Sequence, residues 1–400
     1  MVLLTVNSAA RGNSTIPSRL FSPDIEPSLT GFKELCSQSV TQQDFPLSSS
    51  ISSNVPIYDL SRFDVTDEEL VARLQHEWHH ILLSGPGVVV FQNLYQNKQL
   101  LEKVNSVYQD IIDDEKQSVK KGDHFAKGSA NDRIWNSFSK HCLADPTSFL
   151  EYYSNPWVAL ICESWLGPAY RITSQVNIVR PGGAAQVSHR DYHLGFQTAT
   201  ACSRFPIVTQ IASQLLTLQG AVAHTNMPIE TGPTRLLPFS QRFEDGYMAY
   251  RLPQFTEYFL ENYVSLPLAM GDGLFFNPAL FHAAGENVTH DTSRSANLLQ
   301  INSAFGKPME TIETGPLIEK TWDDLSNQFG REGLSLEVRS YIATIAEGYP
   351  FPTNLDRRPP APNGMAPESE QELLTRGLNK GWSVQQVMME LEQMHRDARP

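Results

Sequence analysis

The sequence predicts a mostly β core of the sandwich or jelly-roll type, with flanking α-helices at both ends. Across residues 170–305, short runs rich in β-branched and aromatic residues alternate with Gly, Pro and Asn. Apolar residues at helical spacing precede this stretch, at 66–85 and 98–121, and follow it, near 318–328 and 336–347. We therefore expect helices, then a β domain, then helices again.

Three segments are expected along the chain. Residues 1–54, rich in Ser, Pro and Thr, predict a mostly irregular N-terminal arm with a short helix near Phe32–Cys36. Residues 55–310 form the predicted β domain with its N-terminal helices. Residues 311–400 form a helical extension with a Pro-rich linker near 349–367. The last helix is indicated by apolar residues at helical spacing, namely Val384, Val387, Met388, Leu391 and Met394. It either packs on its own domain or forms a homodimer contact.

Net charge and cysteine content limit which partners and which cell compartment are expected. The chain of 400 residues has 31 Lys and Arg against 44 Asp and Glu, a net charge of −13. Such a surface repels phosphate groups, so we expect neither nucleic acid nor a membrane as partner. The four cysteines form no C-x-x-C pair, which fits a reducing, cytoplasmic compartment. Arg11 and Arg19 precede the first acid, Asp24, and this leaves organelle targeting as an alternative.

The stretch HEWHH, residues 76–80, fits the H-E-x-x-H pattern of zinc hydrolases. It lies on a predicted helix for which Thr66 is the expected N-cap. The apolar stripe of that helix includes Trp78, which places His76 and His80 on the outer side. A solvated helix face is therefore favoured, and a zinc hydrolase is kept as an alternative.

The stretch VSHRDYHLGF, residues 187–196, suggests a metal site. On a strand, residues two apart share a face, so His189 and Asp191 would project together. H-x-D supplies two ligands of a 2-His-1-carboxylate triad, and His282, at the end of a later β-rich run, would supply the third. This triad leaves three positions open on Fe(II) for a bidentate co-substrate and O2.

Arg294 stands twelve residues after His282 and begins the predicted strand RSANLLQIN. A guanidinium there can bind a carboxylate through two parallel hydrogen bonds, which lysine cannot match. The distal carboxylate of 2-oxoglutarate suits this position, with the keto acid end chelating the iron.

Taken in order, these features resemble the phytanoyl-CoA dioxygenase family of Fe(II)- and 2-oxoglutarate-dependent oxygenases. The resemblance rests on HRD (189–191), GPTRLLPFSQ (232–241), His282 and Arg294, and covers roughly residues 85–305. It implies a double-stranded β-helix, a jelly-roll or cupin-like fold.

The resemblance also implies roles for individual residues. His189, Asp191 and His282 would bind iron, and Arg294 would bind the C5 carboxylate of 2-oxoglutarate. Thr234 and Gln186 lie where family members often add polar contacts to the co-substrate; for each, a purely structural hydrogen bond is the alternative.

Two residues depart from the family's pattern. Phe239 replaces the usual Gly of a G-P-x-R-x-x-P-G-S-H-like stretch, and Gln241 replaces its usual His. We therefore expect this loop, which holds no metal ligand, to be altered.

Candidate substrate contacts lie outside the motif. Asn131, in NDRIWN, belongs to a region that often covers the substrate. His193 would share the face of the ligands on an ideal strand or lie beyond its end. His224 is expected in the core or at its rim. The substrate candidates are Arg133, Trp135, His193 and Phe196.

The implied reaction is oxidation of an unactivated C–H bond of a small organic molecule, a specialised metabolite or an amino acid, with release of succinate and CO2. Hydroxylation is the default outcome; desaturation and cyclisation are alternatives. Asp191 disfavours halogenation, because halogenating relatives carry a small residue there. Two further alternatives are an acyl-CoA hydroxylase of the same family and a metal-binding jelly roll without oxygenase activity, an isomerase or a binding module. Arg294 counts against the last.

Overall fold

The computed structural model describes residues 16–118 and 131–400. The predicted helix 98–121 is described to Ser118, so its last predicted positions lie outside the described residues. Arg11 also lies outside them. None of the helices in these two ranges is both long and apolar enough to span a bilayer.

The described strands are β1 (Ser50–Ser52), β2 (Val55–Asp59), β3 (Val88–Gln92), β4 (Asn131–Ile134), β5 (Arg171–Val179), β6 (Thr217–Ala223), β7 (Arg235–Leu237), β8 (Gly273–Phe276), β9 (Phe281–Ala283) and β10 (Arg294–Asn302). The described helices are α1 (Leu29–Cys36), α2 (Glu68–Leu83), α3 (Lys98–Ser118), α4 (Ser137–Ala144), α5 (Pro146–Tyr153), α6 (Pro156–Leu166), α7 (Ala199–Cys202), α8 (Ile207–Leu215), α9 (Gly246–Ala249), α10 (Pro253–Asn262), α11 (Thr314–Glu332), α12 (Leu336–Ile345), α13 (Glu370–Asn379) and α14 (Val384–Asp397).

Eight strands form one large mixed sheet in the order β1-β2-β3-β8-β6-β10-β5-β4. Only the β2–β3 pair is parallel among these described pairings. Strands β7 and β9 form a second, two-stranded antiparallel sheet. Single bridges extend it, from His282 to His189 and from Leu236 to Val264. The predicted β core with flanking helices is thus confirmed as a large mixed sheet with helices around it.

The two faces of the large sheet have different surroundings. Gln300 on β10 lies opposite Gln219 on β6, and their side chains are in contact, so both lie on one face, called here the inner face. Because side chains alternate along a strand, Leu299 and Ile301 lie on the other face. Those two residues belong to the largest hydrophobic cluster, which also contains residues of α2, α4–α6 and α11–α14.

A separate hydrophobic cluster lies between the inner face and the second sheet. It joins Val88, Leu274 and Ala296 of the large sheet to Leu236 of β7. Apolar side chains therefore join the two sheets, and the ring of Phe276 on β8 lies 4.7 Å from that of His282 on β9.

Helix α2 carries HEWHH on its surface. Its N-cap is Asp67, whose side chain accepts a hydrogen bond from the Leu70 backbone at 3.0 Å, and the expectation of Thr66 was therefore wrong. Trp78 is fully buried, whereas His76 and His80 are exposed, as the apolar stripe predicts. Both histidines are exposed, as the favoured interpretation of HEWHH as a solvated helix face predicts.

Both ends of the chain pack on the protein in their described parts. In segment 16–54, Phe32 and Phe45 are buried, and β1 pairs with β2. Helix α14 buries Val387 and Leu391 against α11 and α13 within the largest cluster. The last helix thus makes an intrachain contact; whether it also contacts a second subunit stays a prediction.

Candidate active site

Three side chains converge beside the second sheet. The ligand atoms of His189, Asp191 and His282 all lie within 4.8 Å of one another. The Nε2 atoms of His189 and His282 lie 3.9 and 3.6 Å from Oδ2 of Asp191. No other three His, Cys, Asp or Glu side chains converge in this way within the described residues. The structure therefore brings together the three residues that the sequence predicts as metal ligands.

The backbone that presents these residues differs from the expectation. HRDYH is not a strand: His189 forms a single antiparallel bridge with His282, with hydrogen bonds of 2.9 and 3.0 Å in the two directions. The Asp191 amide then donates to the Pro278 carbonyl at 2.9 Å. The two histidines are adjacent because their backbones pair directly, and ring centroids 4.3 Å apart follow from this pairing.

The hydrogen bonds of both imidazoles suit metal binding. Nδ1 of His189 donates to the Val187 carbonyl at 2.9 Å, and Nδ1 of His282 donates to the Leu280 carbonyl at 2.8 Å. A carbonyl only accepts, so the proton is on Nδ1 and the Nε2 lone pair faces Asp191. Burial lowers the pKa of His189, which favours the neutral ring that a metal requires.

Asp191 is held ionised by its surroundings. Burial by itself would raise its pKa, but the neighbouring His189 and His282 and a hydrogen bond from Gln219 hold the pKa below its usual range. Gln219 Nε2 donates to Asp191 Oδ2 at 2.6 Å and lies 3.2 Å from Gln300 Oε1. Sequence reasoning missed Gln219, because its contact depends on the register of β6.

Arg294 lies on the inner face with only 5% of its surface exposed. Its Nε donates to the Thr231 carbonyl at 2.9 Å, while its Nη2 is buried and has no hydrogen-bond partner in the described part of the chain. Burial, followed by the charge of Arg133, lowers the pKa of Arg294 to about 10, so it is cationic at neutral pH. A buried cation with an unused donor suits a bound anion.

The loop 232–241 keeps an unusual backbone. Phe239 has φ 69° and ψ −12°, in the left-handed region that glycine adopts easily. Its amide donates to the Pro86 carbonyl at 3.0 Å, and Gln241 Nε2 donates to the Gly85 carbonyl at 2.9 Å. The expected alteration is therefore one of side chains: Gln241 makes a structural hydrogen bond, and Phe239 has the conformation of a glycine.

Arg190 joins this loop to the segment that carries His189 and Asp191. It is buried, and its guanidinium lies over the rings of Tyr247 and Phe281. Its Nη2 donates to three loop carbonyls, those of Ser240, Gln241 and Phe243. Since Arg190 lies between His189 and Asp191, these contacts hold residues 189–191 against the loop.

The profile of the phytanoyl-CoA dioxygenase (PhyH) family matches residues 63–296, more than half of the chain. The chain belongs to the phytanoyl-CoA dioxygenase family. The recognition made from the motifs is thereby confirmed at the level of the family. The predicted enzyme class and the cofactors iron and 2-oxoglutarate agree with it.

The similar proteins share little sequence identity with this member of the phytanoyl-CoA dioxygenase family. The chain is 27% identical over 193 residues to "Dioxygenase andF" of Emericella variicolor, a match that spans 44% of this chain and 61%, about three-fifths, of that protein. Two solved structures from nogalamycin biosynthesis are similar. The epimerase SnoN has 17% identity, a TM-score of 0.39, and coverage of 60% of this chain and 84% of that one. The carbocyclase SnoK has 16% identity, a TM-score of 0.45, and coverage of 62% and 91%.

Gln186 and Thr234 are the two residues predicted to make additional contacts with 2-oxoglutarate. Gln186 Oε1 accepts a hydrogen bond from the Ala284 backbone at 3.1 Å, just after β9. This is the structural role left open for it. Thr234 is half-buried immediately before β7. A contact of either residue with 2-oxoglutarate stays a prediction.

The predicted substrate residues lie on or next to β4 and in the 3-10 turn that follows Asp191. Arg133, on the inner face of β4, donates to Gln175 Oε1 at 2.9 Å and lies 5.2 Å from the ring of Trp135. His193 is not on a strand; it begins a single 3-10 turn, with φ 27°, and its ring packs against Tyr192. Phe196, in the same turn, is half-exposed.

Asn131 and His224 are also accounted for. Asn131 is a buried residue of β4. His224 is fully buried and lies 3.0 Å from Tyr152 Oη and 2.7 Å from Asn105 Oδ1, so it is a core histidine, one of the two expected positions.

Proposed function

We propose that the protein is an Fe(II)- and 2-oxoglutarate-dependent dioxygenase that oxidises an unactivated C–H bond of a small organic molecule, releasing succinate and CO2. The observation that carries this proposal is the convergence of His189, Asp191 and His282, with both Nε2 lone pairs directed toward the carboxylate. Two imidazoles and one carboxylate are the donor set of non-haem Fe(II) oxygenases.

The three residues would hold the iron through His189 Nε2, His282 Nε2 and a carboxylate oxygen of Asp191. When bound, iron and 2-oxoglutarate supply the oxidising chemistry from O2. The chain's part is to orient and to exclude water. The Val187 and Leu280 carbonyls fix the imidazole tautomers, and Gln219 fixes the Asp191 carboxylate.

Arg294 separates this proposal from its alternatives. A buried guanidinium with an unused Nη2 suits the C5 carboxylate of 2-oxoglutarate, whereas a metal-dependent isomerase or binding module needs no such cation there. Thr234 and Gln186 are proposed as weaker contacts to the same co-substrate.

The two sheets support a double-stranded β-helix that spans roughly residues 55–310. In this proposal the inner face of the large sheet and the β7–β9 sheet are its two walls. Apolar residues between them, including Leu274 and Ala296, exclude water from the reacting carbon. Phe276 shields one side of His282. Hydroxylation is the proposed outcome, with desaturation or cyclisation as the alternative.

The test combines a spectrum with an activity. Fe(II) and 2-oxoglutarate without oxygen should give a visible charge-transfer band, and adding O2 should release succinate. His189→Ala and Asp191→Ala should abolish both while circular dichroism stays unchanged, because each removes one of three ligands. The matched controls, His76→Ala and His80→Ala, remove exposed histidines and should retain both. Near-normal succinate release by either ligand variant would contradict the proposal.

A further inference from the structure

Asp191 is held through its backbone as well as through its carboxylate. Its amide donates to the Pro278 carbonyl at 2.9 Å, and its own carbonyl accepts a hydrogen bond from Tyr247 Oη at 3.1 Å. Gln219 donates to the carboxylate at 2.6 Å. The peptide groups on both sides of Asp191 are thus fixed, and the rotation that its side chain retains is restricted by Gln219.

Tyr247 belongs to the short helix α9, Gly246–Ala249, whose four residues are all buried. The Arg190 guanidinium lies 4.9 Å from the centre of the Tyr247 ring, and a Cβ on Gly246 would collide with that guanidinium. Arg190 is itself bound to three loop carbonyls and cannot easily move aside. Glycine therefore allows α9 to approach the ligand segment closely, and this approach brings the Tyr247 phenol to the Asp191 carbonyl.

The residues just after α9 hold the far end of the turn that follows this carbonyl. Tyr250 Oη donates to the Gly195 carbonyl at 2.6 Å. Arg251 Nη2 donates to the same carbonyl at 3.0 Å and to that of Gln197 at 3.2 Å. Both ends of the turn are therefore held by one segment, residues 247–251.

We propose that Tyr247 is a positioning residue for iron binding, because its phenol holds the Asp191 carbonyl and thereby keeps the carboxylate beside the two imidazoles. Tyr250 and Arg251 support this role by holding the turn beyond that carbonyl. The inference rests on the proposed dioxygenase function. It adds to the metal site a segment, residues 247–251, that lies outside the motifs from which the site was predicted.

Packing and positioning by Tyr247 can be separated in one substitution. Its side chain lies in a hydrophobic cluster with Leu194, Tyr250 and Phe281 and is 2% exposed, so the ring stabilises the fold in any case. Phenylalanine keeps this ring and its contact with Arg190 and removes the hydroxyl. Tyr247→Phe therefore tests the hydrogen bond to the ligand rather than the packing.

The first probe is Fe(II) alone, titrated without oxygen. Without the phenol, the Asp191 backbone spends part of its time away from the binding position, and the apparent affinity falls by that fraction. The dissociation constant of Tyr247→Phe should rise about twofold to tenfold, the range of one neutral hydrogen bond. The charge-transfer band formed on adding 2-oxoglutarate should shift, because the carboxylate is held less firmly. An unchanged affinity with an unchanged band would overturn the inference, whatever the melting temperature of the variant.

Arg251→Met keeps the inference testable if Tyr247→Phe does not fold. Arg251 is exposed, and its loss removes two bonds to turn carbonyls. Hydrogen exchange of a peptide spanning residues 190–198, measured by mass spectrometry, should become roughly twofold to tenfold faster. Fe(II) should slow it again, because a turn that favours the metal must in return be favoured by it. Unchanged exchange, or faster exchange that Fe(II) does not slow, would show a turn uncoupled from the metal and would overturn the inference.

The matched control is Tyr258→Phe. Tyr258 packs against the same hydrophobic cluster, but its ring contacts are with Phe32 and Lys33 on α1. Removing its hydroxyl should leave Fe(II) affinity, the band and the exchange rate at their wild-type values. Failure of the underlying function is distinguishable: a wild-type protein that gives neither the band nor succinate rejects the dioxygenase, whereas normal wild-type behaviour with unaffected variants rejects the positioning role alone.

Discussion

Arg294→Ala and Arg294→Lys should separate co-substrate binding from iron binding. Arg294 is almost fully buried, spends one donor on the Thr231 carbonyl, and has a buried Nη2 without a partner among the described residues. In the proposed complex, Nη2 and a second guanidinium N–H hold the C5 carboxylate of 2-oxoglutarate. Alanine removes the cation and leaves that carboxylate buried and unpaired.

The expected magnitudes follow from these contacts. Breaking a buried ion pair by removing one partner costs about 3–5 kcal/mol, so Arg294→Ala should raise the KM for 2-oxoglutarate by roughly two to three and a half orders of magnitude. Lysine keeps the charge but loses one of two charge-assisted hydrogen bonds, at a cost of about 1.5–3 kcal/mol, or roughly tenfold to a hundredfold.

Two measurements on each variant separate an effect on 2-oxoglutarate binding from an effect on iron binding. The KM for 2-oxoglutarate is taken from succinate release, and iron affinity is taken from a titration without 2-oxoglutarate. Iron affinity should stay near the wild-type value, because no ligand atom is changed. Arg331→Lys, on the exposed surface of α11, is the control. A collapse of iron affinity with an unchanged 2-oxoglutarate KM would refute the assignment.

Three further outcomes are expected. Burial lowers the pKa of His141 to about 4 and of His224 to about 3, below the unfolded value near 6.5, so the unfolded chain binds more protons between these values. The free energy of unfolding should therefore fall as pH drops from about 6.5 toward 4.5, by up to about 1.4 kcal/mol per pH unit for each histidine, and a flat urea-denaturation series would contradict this. Gln219→Leu removes the hydrogen bond to Asp191 and should weaken iron binding by roughly tenfold to a hundredfold with the KM for 2-oxoglutarate little changed; unaltered iron affinity would show that Gln219 does not position the ligand. Trp135→Ala should preserve substrate-free 2-oxoglutarate decarboxylation while substrate-stimulated turnover falls, and loss of both together would assign Trp135 to the fold.

The convergence of His189, Asp191 and His282 could be predicted because the sequence signal is short and ordered. H-x-D lies within three residues, and His282 and Arg294 follow at recognisable positions in β-rich runs. The three residues predicted as metal ligands do converge, although the predicted element was wrong, since HRDYH is held by a single bridge and by the Asp191 amide rather than by a strand. Side-chain chemistry was readable in the sequence; the backbone geometry depended on tertiary pairing.

Residues that act across elements could not be predicted in the same way. Gln219 reaches Asp191 only because β6 pairs with β10 in one register. Two helices that were not predicted, α5 and α6, nevertheless have N-terminal capping signals in the sequence. Asn155 followed by Pro156 is an N-cap with proline in the first turn, and Asp145 followed by Pro146 repeats it, so α5 and α6 were open to recognition from the sequence.

Phe239 stands where members of the family usually have glycine, and it keeps the left-handed backbone conformation that glycine adopts easily. A non-glycine residue in the left-handed region costs roughly 1–2 kcal/mol. Burying a phenylalanine ring contributes about 1.5–3 kcal/mol, and the ring of Phe239 is 2% exposed. The hydrogen bond to the Pro86 carbonyl and the three bonds from Arg190 to the loop hold the same backbone in place. Burial thus offsets the strain, so the position requires a backbone conformation rather than the absence of a side chain, and the ligand segment anchored to this loop can keep its geometry although the motif has changed.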